Sequence, residues 1–121
     1  MMVIRHVMHP DHLLVLAEGP FDLAEARRGL GEALREAQAR DMPCILVDAR
    51  GISTQVSIAD RYELAAQLAG IAPGRIRIAI VVEERNMFSK TMEDTARNRG
   101  VALITTDSMQ AAREFLGVET A

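Results

Sequence analysis

The sequence predicts an α/β domain of order ββαβαβαβα, with a mostly parallel five-stranded sheet, one antiparallel edge strand and four helices. Three observations carry this. Short apolar runs alternate with longer stretches whose apolar residues recur at helical spacing. Gly19-Pro20, Pro73-Gly74, Gly100 and Gly117 punctuate them. The third is the run Cys44-Ile45-Leu46-Val47-Asp48-Ala49-Arg50-Gly51. Four apolar residues ending in Asp and then Gly read as a strand buried on both faces, stopping at the margin of a sheet. The polar stretch Ile52-Ser53-Thr54-Gln55-Val56-Ser57 follows it. In open α/β sheets, sites form beyond the carboxyl ends of the strands, so function is expected there first.

Each element has its own signal. Val3–Met8 and Leu13–Glu18 read as strands. The His9-Pro10-Asp11-His12 turn between them is short enough to make the pair antiparallel. Asp22 and Glu25 have capping-box spacing and open a helix whose inner face is Leu23, Ala26, Leu30, Ala33, Leu34 and Ala37. Gly29 and Gly31 weaken that helix by up to ~1 kcal/mol each, which close packing on a strand would offset. Pro43 leads into the central strand, and Ser57 with Asp60 repeats the capping pattern. The next helix carries Ile58, Tyr62, Ala65 and Leu68 as its apolar stripe and ends at Gly70. Ile76–Val82 reads as a strand, and Glu83-Glu84-Arg85-Asn86 as a polar loop. A helix runs from about Asn86 to Arg99, with Phe88, Met92, Thr95 and Ala96 inward. Val101–Ile104 is the last strand, Asp107 is the expected cap of the last helix, and Gly117 closes that helix.

At 121 residues the chain fits one domain, 1–121. A net charge of −3 gives no basic excess for nucleic acid or anionic membrane. Every basic residue except Lys90 is Arg, and the arginines are spread along the chain. Phe21, Phe88, Phe115 and Tyr62 are the only aromatics, which leaves little for base stacking. The lone Cys44 excludes an intrachain disulfide and sits in an apolar run, as a small buried hydrophobe does. Met1–His6 lacks the apolar core of a signal peptide, and no apolar segment is long enough to span a bilayer. A cytoplasmic protein is expected.

Few residues point to chemistry. His6, His9 and His12 fall in one window with Asp11. Strand alternation sets His6 and His9 on opposite faces, so a solvated turn is expected rather than a metal site. Asp48 could resemble a phospho-acceptor, but the partner acidic pair and the later Lys are missing; it is expected to order Arg50 and Gly51 through backbone bonds. The Gly-rich and Ser-centred signatures of dinucleotide, nucleotide and hydrolase sites are absent. No cofactor and no catalytic set is expected. Met87, Phe88 and Met92 are placed to pack the core or line an apolar groove.

On these residues the chain resembles the STAS domains, the fold of anti-sigma-factor antagonists and of the cytoplasmic tails of sulphate transporters. It is most similar to the SpoIIAA-like branch of small bacterial proteins, which are STAS-like or CRAL-TRIO-like. The resemblance covers nearly the whole chain. It rests on the element order, on Ile45-Leu46-Val47-Asp48-Ala49-Arg50-Gly51, and on Asn98-Arg99-Gly100-Val101, Asp107 and Ala111-Ala112-Arg113-Glu114-Phe115-Leu116. In anti-sigma antagonists the phosphorylated residue lies in Asp-Ser-Ser-Gly at the start of the helix after this strand. Here Val56-Ser57-Ile58-Ala59 aligns, and only Ser57 matches. Ser57 is therefore a candidate phosphorylation site or a plain helix N-cap.

The resemblance implies a non-catalytic interaction or regulatory module that binds a protein partner or a second copy of itself. Its interaction loop would comprise Asp48, Arg50, Gly51, Ser53 and Thr54, with Tyr62 beside it. The alternative is a carrier or sensor of a small apolar or lipid-like ligand, with a pocket bounded by Tyr62, Leu64, Phe88 and Met92. A third reading is an anti-sigma-factor antagonist switched by phosphorylation.

Overall fold

The computed structural model describes residues 1–54, 56–71, 76–83 and 87–119, with only the helical backbone at 68–71 and 87–91. Among the described residues, the elements are β1 (Val3–Met8), β2 (Leu13–Gly19), α1 (Leu23–Ala39), β3 (Cys44–Ile52), α2 (Ile58–Ile71), β4 (Arg77–Val81), α3 (Met87–Asn98), β5 (Ala102–Thr106) and α4 (Met109–Leu116). The sheet order is β1-β2-β3-β4-β5. β1 and β2 are antiparallel, and β2 through β5 are parallel. The α/β class, the element order and the antiparallel edge strand are as the sequence predicts. The expected Pro73-Gly74 turn, Gln55 and the loop residues Glu84–Asn86 lie outside the described residues, as do the side chains of Leu68, Met87 and Phe88.

The alternation of strand side chains sorts the core into two layers. Leu13, Val15, Ile45, Ile78 and Leu103 face α1, α2 and α3, where Leu34, Ala37, Leu64, Ala65, Met92 and Ala96 meet them. Cys44, Leu46, Ala79 and Val81 face α4, where Ala112 and Leu116 meet them. β3 stands at the middle of the sheet and buries both faces, so its apolar run serves both layers. Cys44 is buried, and its Sγ donates to the carbonyl of Leu116 at 3.3 Å. Arg77 donates to the same carbonyl at 2.7 Å, setting a cation on the C-terminus of α4.

The capping chemistry follows the sequence at two helices and departs from it at a third. The Asp22 side chain accepts from the Glu25 amide, and the Ser57 hydroxyl accepts from the Asp60 amide at 3.1 Å. The cap of α4 is Ser108, not Asp107, because the Ser108 hydroxyl accepts from the Ala111 amide. β5 runs two residues beyond Ile104, which carries the chain past Asp107 before the helix starts. α2 continues through Gly70 to Ile71. Gly29 does pack closely on a strand: a Cβ there would lie 2.5 Å from Ile4 Cδ1.

Two surfaces differ from expectation. The turn after β1 is only partly solvated: Pro10 is exposed, but His12 is fully buried and stacks on His9 with ring centroids 4.7 Å apart. His12 Nδ1 and Asp11 Oδ1 are 2.7 Å apart, and Asp11 Oδ2 accepts from the Glu119 amide at 3.2 Å. Ile58 and Tyr62 point out of the core, 49% and 45% exposed, while Leu64 and Ala65 take the inner face of α2. No helix among the described residues is long and apolar enough to cross a membrane.

Leu34 is wholly buried where α1 meets the sheet. Replacing it with Ala leaves a cavity, so Leu34→Ala is expected to lower unfolding free energy by about 2–5 kcal/mol in urea denaturation.

Candidate functional site

The site forms because β3 outruns one of its neighbours. Its ladder with β4 ends at Asp48↔Val81, whereas its ladder with β2 continues to Gly19↔Ile52. The β2–β3 register shifts between Leu16 and Glu18, so the last turn of the pleat is re-aimed. Gly51 permits this crossing: a Cβ there would lie 2.7 Å from Glu18 Cβ and 3.2 Å from the Ala17 carbonyl. Asp48, Arg50 and Gly51 are consequently strand residues rather than loop residues. Sequence reading ended the strand early because Asp and Gly are poor strand formers.

Asp48 and Arg50 form a two-point pair. Asp48 Oδ1 accepts from Arg50 Nε at 2.9 Å and from the Arg50 amide at 3.2 Å, and Oδ2 accepts from Nη2 at 2.8 Å. The Arg50 guanidinium holds the Asp48 carboxyl below the usual carboxylate range, against the opposing effect of burial. The same pair raises Arg50. With Arg5, Leu16, Glu18 and Glu83 it lines a shallow charged hollow of about 390 Å³ on the α4 side of the sheet.

Ser53 and Thr54 leave the strand and bind back. The Ser53 amide donates to the Gly19 carbonyl, and the Phe21 amide donates to Thr54 Oγ1, both at 2.9 Å. These bonds tie the end of β3 to the start of α1. Ser57 is exposed and caps α2. One turn on, Arg61 Nε donates to the Val56 carbonyl at 3.0 Å, and burial lowers the Arg61 pKa. Tyr62 projects outward, where Arg99 donates to its hydroxyl at 2.7 Å and lies 5.4 Å from its ring centroid.

Beneath this segment lies an apolar cavity of about 350 Å³. Val15, Val47, Ala49 and Ile80 form its floor, Leu30 and Leu64 its walls, and Ser53, Thr54, Val56 and Arg61 stand at its mouth. Of the four residues expected to bound a ligand pocket, Leu64 and Met92 line this one. Tyr62 is on the opposite face of α2, and the Phe88 side chain is outside the described residues. Arg61 and Val56 were not singled out from sequence. The alternation Ile45, Val47, Ala49 was the available signal, since it aims Ala49 at the same side as the core-facing residues. Buried Glu93 was also missed; it accepts from the Thr105 amide at 3.0 Å and joins α3 to β5 beside the cavity.

No protein-family model and no curated protein sequence matches the chain. A search of solved structures finds an anti-sigma factor antagonist from Mycobacterium paratuberculosis at TM-score 0.64 and 14% identity, covering 98% of this chain and 96% of that one. The fold is therefore that of the STAS, SpoIIAA-like domains.

Two outcomes test the site's construction. Ser57→Ala is expected to cost about 1 kcal/mol in denaturant unfolding, because an amide at the start of α2 loses its acceptor. Asp48 has a lowered folded pKa, so its stabilisation is present above the unfolded value near about 4 and is lost as pH falls through the lower folded value. Asp48→Asn is expected to flatten that acid limb of the stability–pH curve, leaving the shape above about pH 5 unchanged.

Proposed function

We propose that the protein is a non-catalytic regulatory module that binds a protein partner through the outer face of α2 and the segment leading into it. The observation that carries this is the exposed pair Ile58 and Tyr62, one helical turn apart, next to the Ser57 cap. Tyrosine is favoured at interface centres, and Arg99 already holds this ring upright. The polar groups around the rim have structural tasks: Asp48 holds Arg50, Thr54 holds the start of α1, and Ser57 caps. That supports binding over catalysis. The structural neighbour is an anti-sigma factor antagonist, which supports a regulatory protein partner of that kind. A phosphate on Ser57 would sit at the N-terminus of α2, where free amides and the helix dipole favour an anion, so a phosphorylation switch uses the same surface.

The 350 Å³ cavity supports a second reading, a small apolar or lipid-like ligand held under the same segment. Its size is at the lower end of the roughly 300–1,000 Å³ of small-molecule sites.

Affinity capture from native cells separates the two readings. The wild-type chain is expected to retain a partner that Ile58→Asp and Tyr62→Asp each lose by tenfold or more, with unchanged circular dichroism. Retention by both variants would refute the α2 surface. For the cavity, 1-octanol is expected to raise the melting temperature of the wild type but not of Ala49→Phe, which fills the space.

A further inference from the structure

The two margins of the sheet are dressed differently. β5 lies between α3 and α4, whereas, among the described helices, β1 meets only α1. On the side away from α1, Val3 and Val7 are 43% and 40% exposed. Natural edge strands are blunted by proline, bulges, lysine or shortness. β1 has six residues, contains neither proline, glycine nor lysine, and keeps an unbroken register with β2 from Val3↔Glu18 to Met8↔Leu13. Its one blunting charge, Arg5, lies 3.8 Å from Glu18, and both side chains are more than half exposed.

We propose that β1 pairs antiparallel with β1 of a second copy across a two-fold axis at Arg5, joining the two sheets into one. The pleat restricts the register, because opposed residues must share a face. Val3, Arg5 and Val7 share the outer face, so odd positions meet odd positions. The axis at Arg5 sets Val3 against Val7 of the second copy, and Val7 against its Val3. These are two of the exposed large apolar side chains, and each covers the other. The axis sets Arg5 opposite Arg5 of the second copy, a like-charge pair that the Arg5–Glu18 ion pair within each copy offsets and that keeps the association weak. A two-fold contact needs a strip that complements itself, and this one does, which selects a second copy over an unrelated strand. The interface is one strand wide, so association is weak and depends on concentration.

Sedimentation and cysteine cross-linking test this. The wild type is expected to pass from monomer to dimer between about 10 μM and about 1 mM, the range in which a small interface dissociates. Val7→Lys is expected to weaken the dimer at least tenfold, and Ile58→Asp on α2 to leave it unchanged. A mixture of Val3→Cys and Val7→Cys chains is expected to cross-link into the mixed dimer faster than either variant with itself. A chain still monomeric at 1 mM, a dimer indifferent to Val7→Lys, or cross-links without the 3–7 preference would overturn the proposal. Unchanged circular dichroism of Val7→Lys confirms that loss of the dimer is not loss of the fold.

Discussion

The structure depends on the alternation of side chains along β3. Ile45 and Val47 point to one layer and Cys44 and Leu46 to the other, so a single strand anchors helices on both faces of the sheet. Buried strands of parallel sheets carry continuous apolar runs for this reason. A shift of one residue in its pairing would exchange the two layers, setting Leu46 against the side that fits Ile45. The ladders with β2 and β4 both hold that setting over residues 45–48.

From this anchored centre, the rim follows by difference in length. β3 continues along β2 after β4 has ended at Asp48, and the extra residues carry Arg50 to the same face as Asp48 and Ala49 to the other. One strand end therefore serves two environments. The α4 side is a charged hollow, and the side under α1 and α2 is an apolar cavity. Ser53, Thr54 and Arg61 stand at the mouth of the cavity, while Ile58 and Tyr62 nearby face solvent. Partner binding and cavity occupancy would both act on the short piece of chain that carries them.

Most of the architecture was legible in the sequence, because apolar runs and glycine punctuation report directly on a layered fold. The helices with strong one-sided patterns were read well, such as α1 with Asp22 as cap. The α2 face was misjudged, since Ile58, Tyr62, Leu64 and Ala65 leave apolar residues on both sides of the helix and periodicity cannot say which side is buried. Asp107 and Ser108 are adjacent residues with similar capping ability, and the choice between them was decided by the length of β5. His12 was unreadable for another reason: it stacks on His9 beside Asp11, which binds an amide 108 residues away, and no local pattern reports such contacts. The cavity likewise arises from how α1, α2 and the sheet meet, which no local pattern encodes.

The approach at Gly51 constrains how such a rim diverges. Any side chain at that position would drive into the backbone and Cβ of β2, and Gly19, at φ +95°, would strike the Met1 carbonyl if it carried one. Those two glycines form a fixed hinge line between adjoining strands. Ser53, Thr54, Ser57, Ile58 and Tyr62 lie beyond it and are open to solvent. A partner surface of the kind proposed above could therefore be altered past that line without disturbing the strands before it.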